Sequence, residues 1–120
     1  MVAITYNTAT SNATIAATSA DGSATVVYTC PNNHDVTVDL ILLSNNNSGA
    51  KKINVQWYDL SATTYYHILK AHSIAANSTY NVLDNSLLHL HAGDKLVLYA
   101  ETTNTIEATI SVKEYFSPNK

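Results

Sequence analysis

Ile106-Glu107-Ala108-Thr109-Ile110-Ser111-Val112-Lys113 alternates apolar and polar residues without a break. Side chains on a strand point alternately to opposite faces, so a period of two means one buried and one wet surface. Almost no stretch of the chain carries the i, i+3, i+4, i+7 spacing of an amphipathic helix. Ile53-Asn54-Val55-Gln56-Trp57 repeats the alternation and places the only tryptophan on the apolar side. In Val36–Leu43, Val36, Val38, Leu40 and Leu42 alternate with Thr37, Asp39, Ile41 and Leu43. The second half of that run is apolar on both faces, which predicts a central strand covered on each side.

Further strands are predicted at Val2–Tyr6, Ala13–Ala17, Ala24–Thr29, Tyr65–Leu69, Tyr80–Leu83 and Ser86–Leu90, with Asn7–Asn12 a polar break between the first two. Lys95–Glu101 and Ile106–Tyr115 read as a final hairpin about Thr102–Thr105. Turn chemistry falls between the runs at Asp21-Gly22, Pro31-Asn32-Asn33, Ser44–Gly49, Ile74–Ser78 and Ala92-Gly93-Asp94. About eight to ten short strands at this spacing predict an all-β fold, an antiparallel β-sandwich of jelly-roll or Ig-like type. With 120 residues and no linker or repeat, the whole chain, 1–120, reads as a single β-sandwich domain.

Charged residues make up 12% of the chain and the net charge is −3, so no basic field exists to attract phosphate backbones and no nucleic-acid partner is expected. No segment approaches the ~18 consecutive apolar residues that span a bilayer, and no membrane partner is expected. The opening Met1–Tyr6 lacks the basic start and apolar run of a signal peptide. Cys30 is the only cysteine, so the chain cannot close a disulfide on itself. It reads as an inert buried thiol at a strand end, with His34 the only base nearby in sequence.

Candidate chemistry is sparse. His89-Leu90-His91 puts two imidazoles on one side of a strand, where they could share a metal with His67 and His72. The reading favoured is a wet face opposite Leu88 and Leu90, with no metal and no cofactor. The acids are dispersed, there is no nucleophile elbow, and three glycines form no phosphate-cradling loop, so no catalytic residue is assigned and no enzyme is expected. Tyr58, Tyr65, Tyr66 and Tyr99 are the candidate interface residues, suited to a subunit contact or to stacking on sugars. Adjacent strand residues face opposite ways, so one of Tyr65 and Tyr66 points outward.

Thr, Ser and Asn supply about a third of the residues, and such an uncharged polar surface packs against protein at a smaller desolvation penalty than charges do. Several pieces resemble small bacteriophage virion structural proteins. These are Val27-Tyr28-Thr29-Cys30-Pro31, Ile41-Leu42-Leu43-Ser44-Asn45, Val55-Gln56-Trp57-Tyr58-Asp59, Leu90-His91-Ala92-Gly93-Asp94-Lys95-Leu96 and Ser111-Val112-Lys113-Glu114-Tyr115. The resemblance implies a capsid decoration (cement) protein on the outer head surface, or a neck, tail or fibre subunit. It further implies a homo-oligomer, expected as a homotrimer, whose other partners are the major capsid or other virion proteins. The place it implies is the virion, assembled in the host cytoplasm. Two other readings follow from the residues: a carbohydrate- or host-surface-binding module, and a cupin-like metal enzyme.

Overall fold

The structure is a computed structural model that describes residues 5–118. Among the described residues it contains nine strands and no α-helix. They are β1 (Asn7–Thr14), β2 (Thr25–Thr29), β3 (His34–Asn45), β4 (Lys51–Asp59), β5 (Thr64–Ile74), β6 (Ser78–Asn81), β7 (Leu88–His91), β8 (Lys95–Ala100) and β9 (Ile106–Phe116). Residues 2–4 of the first predicted strand lie outside the described residues.

One sheet has the order β1-β9-β3-β6 with β7 also on β3, and the other has β2-β8-β4-β5. The pairing is nested and antiparallel: β1 with β9, β2 with β8, β3 with β6 and β7, and β4 with β5. The chain is therefore one long hairpin, turning between β4 and β5 and folded over on itself. That nesting is a jelly roll in which β6 and β7 share one strand position, and it settles the choice left open between jelly-roll and Ig-like sandwiches.

The predicted hairpin of the last two strands is corrected by this topology. β8 sits inside one sheet and β9 inside the other, so residues 101–105 cross between sheets. Leu96, Val97 and Leu98 of β8 are all buried, as befits a strand flanked and covered on both sides. In β9 the alternation holds as read: Ile106, Ala108, Ile110 and Val112 are buried in the core. Facing them across the sandwich are Ile53 and Val55 of β4 with Leu96 and Leu98 of β8, and beside them Val36, Val38, Ile41 and Leu43 of β3.

The jump from Val38 to Ile41 marks a second correction. A register shift between Val38 and Leu40 flips the pleat, so Ile41 and Leu43 point inward and Leu40 and Leu42 outward. A third concerns β1, which occupies the stretch Asn7–Asn12 expected to be a break. Its inward side chains, Ala9, Ser11 and Ala13, are small rather than apolar, which suffices at a sheet edge. A fourth concerns β4, where Asn54 and Gln56 are buried although they face away from the core. The Gln56 carboxamide accepts from Asp21 N and donates to its carboxylate, both at 2.9 Å, so the Asp21–Ser23 turn lids that face. Asn54 Oδ1 accepts from Ala71 N at 2.7 Å, where β5 bends away.

The molecule measures 53 × 28 × 19 Å, and antiparallel order gathers its loops at two ends, apart from 82–87, which lies along the middle of β3. One end collects the starts of β1, β3, β5 and β8 and the finishes of β2, β4, β7 and β9. The other collects the loops 15–24, 46–50, 75–77 and 101–105, rich in Asn, Thr and Ser. Buried Asn45 knits that second end together: Nδ2 donates to Gly49 O and Ile74 O at 3.0 Å, and Oδ1 accepts from Asn47 N at 2.9 Å. With few glycines, asparagine supplies the left-handed backbone at Asn33, Asn77, Asn85 and Asn104.

Candidate interaction surface

The first end of the sandwich is aromatic, and it is held by a buried carboxylate. Asp94 is 2% exposed and follows Gly93 in the turn from β7 to β8. Its Oδ1 accepts from Leu60 N at 3.0 Å, and its Oδ2 accepts from His91 N at 3.0 Å and Trp57 Nε1 at 3.3 Å. One side chain thus fixes three segments: the 60–63 turn, the end of β7 and the indole on β4. Gly93 has φ +86°, and a Cβ there would lie 2.3 Å from Leu60 Cδ2. The leucine is laid over the glycine and left exposed.

Trp57 and Tyr66 are directly opposed across β4 and β5, with ring centroids 5.5 Å apart. Tyr66 is 46% exposed at the rim. Beyond the other sheet, Tyr6 packs on Tyr115 at 5.3 Å and His34 on Phe116 at 5.5 Å. Phe116 is 66% exposed, the most of any large apolar residue described. Tyr6, Leu60, Tyr66 and Phe116, four of the six exposed large hydrophobic residues among the described ones, therefore share one end of the molecule.

Two polar groups inside this end are tuned by burial. Tyr28 donates to Glu114 Oε2 at 2.5 Å, joining β2 to β9 across the sandwich. Burial raises the phenol pKa well above its ordinary value, and the hydrogen bond and charge of Glu114 raise it further. Cys30 is 1% exposed, and its Sγ lies 3.5 Å from His34 O. Burial, with the negative charges of Asp94, Asp35 and Glu114, pushes its pKa up to about 12. Both effects keep it in the thiol form at neutral pH, and burial keeps it from solvent.

The four tyrosines singled out in the sequence divide between two surfaces. Tyr58 and Tyr65 pair on the outer face of the β2-β8-β4-β5 sheet with centroids 4.5 Å apart, and Lys95 Nζ lies 5.7 Å from the Tyr58 centroid. Tyr99 is on that same face, its hydroxyl 2.7 Å from His67 Nε2. Tyr66 is on the opposite face, with Trp57. Tyr6, Leu60 and Phe116 were missed, because alternation gives a residue's face and not its distance from a strand end.

The histidines do not converge. His89 and His91 are on the outer face of the β1-β9-β3 sheet, with His91 Nδ1 3.1 Å from Asp35 Oδ1 and His89 Nδ1 3.3 Å from Thr37 Oγ1. His67 and His72 belong to the other sheet, and His72 stacks on Tyr80 at 4.1 Å. Among the described residues no three His, Cys, Asp or Glu side chains are grouped to hold a metal ion. One open depression of about 340 Å³ is lined by Asn12, Thr14, Ser44, Glu107 and Thr109 among others and offers no paired acid and base.

No protein-family model and no curated protein matches the chain. Among solved structures it is similar to a chain of the Bacillus endospore appendages, described as a family of disulfide-linked pili. The TM-score is 0.54 at 13% identity, over 95% of this chain and 88% of that one. At that identity the likeness bears on the fold alone: a β-sandwich shared with a structural protein.

Proposed function

We propose that this chain is a non-enzymatic structural subunit that works in a homo-oligomeric assembly, with the aromatic end as its principal contact. The observation that carries the reading is the gathering of exposed Tyr6, Leu60, Tyr66 and Phe116 at one end of the sandwich, where Asp94 holds Leu60 and the Trp57 indole on which Tyr66 packs. Exposed aromatic anchors on a fixed scaffold are the usual core of a protein interface. The fold it shares with a pilus protein is compatible with such a role. Within this class we place the chain as a bacteriophage virion protein, a decoration subunit trimeric on the outer head. That finer placement rests on the sequence pieces resembling small virion proteins; a neck, tail or fibre subunit is the alternative position.

The test is native mass by light scattering, for the wild type and for a Tyr66→Ser, Phe116→Ser variant. Both side chains lie at the rim outside the buried core, Phe116 mostly and Tyr66 about half in solvent, so the variant should fold. The expected result is a wild-type oligomer whose mass falls in the variant. An unchanged oligomer would remove the aromatic end from the interface.

A second reading rests on a different surface. The row Tyr58, Tyr65, His67 and Tyr99 with Lys95 combines ring faces and hydrogen-bonding groups, which suits a carbohydrate-binding module. Glycan-array binding by the wild type that is lost in Tyr65→Ala would establish it, and binding retained in that variant would exclude this row.

A further inference from the structure

Among the described residues, the four edge positions of the two sheets are not treated alike. β2 is five residues long and bulged between Val26 and Tyr28. β5 shifts register twice against β4, turns through positive φ at Ala71 and carries Lys70. β6 and β7 are four residues each, broken apart by the segment 82–87. Bulges, charges and brevity are the devices by which proteins keep sheet edges from pairing. β1 has none of them: eight residues, Asn7-Thr8-Ala9-Thr10-Ser11-Asn12-Ala13-Thr14, without charge or proline, in unbroken register with β9.

Parity identifies the groups this edge presents. Ile15 N donates to Ile106 O at 2.8 Å, one step beyond the last pair Thr14–Glu107. In an antiparallel ladder the N–H and C=O of alternate residues point to the same side, so Asn7, Ala9, Ser11 and Ala13 bond to β9. Thr8, Thr10, Asn12 and Thr14 then aim their backbone groups away from the sheet. Their side chains are exposed as well.

We propose that this edge pairs with the same edge of a second copy, β1 against β1 in antiparallel fashion, fusing two sheets into one across a two-fold axis. The inference rests on the assembly-subunit reading only in naming a second copy as the partner. The argument for that partner is complementarity. No other edge among the described residues offers an unbulged run of this length, so the strand that matches β1 is β1 itself. A two-fold at Ser11 sets Thr8 opposite Thr14 and Thr10 opposite Asn12 of the second copy, with about eight backbone hydrogen bonds. It also aligns Lys113, the β9 partner of Thr8, with Glu107 of the second copy, the β9 partner of Thr14. The ends of each such row carry opposite charges about 14 Å apart, so the pairing meets no like-charge repulsion.

The experiment is residue-resolved amide exchange against protein concentration, with light scattering on the same samples. The comparison proteins are Thr10→Lys with Asn12→Lys, and the aromatic-end variant Tyr66→Ser with Phe116→Ser. The lysines go onto exposed positions of an edge strand and should not disturb the fold. The expected result is that, as mass rises, the amides of Thr8, Thr10, Asn12 and Thr14 slow by about tenfold or more while Ala9, Ser11 and Ala13 stay unchanged. The lysine variant should lose the slowing and the aromatic-end variant should keep it. Fast amides at these four positions in a wild-type oligomer would overturn the edge contact and leave the assembly reading standing. A wild type monomeric to about 1 mM would overturn both.

Discussion

Replacing Asp94 by alanine should loosen the aromatic end without removing any apolar core group. The carboxylate accepts from Leu60 N and His91 N at 3.0 Å and from Trp57 Nε1 at 3.3 Å. These donors are part-buried, so water recovers some of the loss, and about 1 kcal/mol per bond is a fair share of what a charged acceptor contributes. The three together come to about 3 kcal/mol, against a total stability on the order of 5–15 kcal/mol for a domain. That corresponds to a fall of roughly 10 °C in Tm for a chain of this size. Asp94→Asn keeps one acceptor oxygen and should lose about half as much. The assay is urea unfolding followed by fluorescence. Trp57 is the only tryptophan and donates directly to Asp94, so native emission should also change in the alanine variant. A loss below about 1 kcal/mol with unchanged emission would refute the claim that this carboxylate braces the end.

Three further outcomes follow from the same geometry. Stability should decline from about pH 9 upward: Cys30 ionises near 9 when unfolded but near 12 when buried, so the folded state holds its proton longer and is penalised as pH rises through that window. Tyr28 acts in the same direction above about pH 10, and Cys30→Ala should flatten the first part of the decline seen by chemical denaturation at several pH values. Gly93→Ala should destabilise by about 1–2 kcal/mol, since it combines φ +86° with a Cβ 2.3 Å from Leu60 Cδ2; adding Leu60→Ala should recover the clash but not the backbone strain in a double-mutant cycle. Asn45→Ala should cost about 2–3 kcal/mol, because it strips partners from Ile74 O, Gly49 O and Asn47 N at the polar end, and hydrogen exchange should then show the 46–50 loop opening first.

The fold was legible where one face of a strand is apolar and the other wet. In Ile106–Lys113 the alternation of the sequence is the alternation of burial. It was illegible where another element lids the outer face, as the Asp21–Ser23 turn does over Gln56. The bulge at Asp39 reversed the reading of Leu40 to Leu43, because one extra residue exchanges the two faces and leaves no mark in composition. β1 was hidden for a different reason: an edge strand whose inward residues are Ala9, Ser11 and Ala13 looks like a loop. The crossing from β8 to β9 was hidden by the habit of pairing neighbours in sequence. The one signal against a hairpin was the triple Leu96-Val97-Leu98, too apolar for a strand with a wet face. At the surface, parity separated Tyr65 from Tyr66, but the convergence of Tyr6, Leu60 and Phe116 needs the topology, since they lie far apart in sequence.

The measurement that bears most directly on the central claim is the native mass of the purified wild-type chain by light scattering after size exclusion. The account predicts a multiple of the 13.0 kDa chain that falls when Tyr66 and Phe116 are changed to serine. A wild type that stays at 13.0 kDa across the concentration range would contradict it.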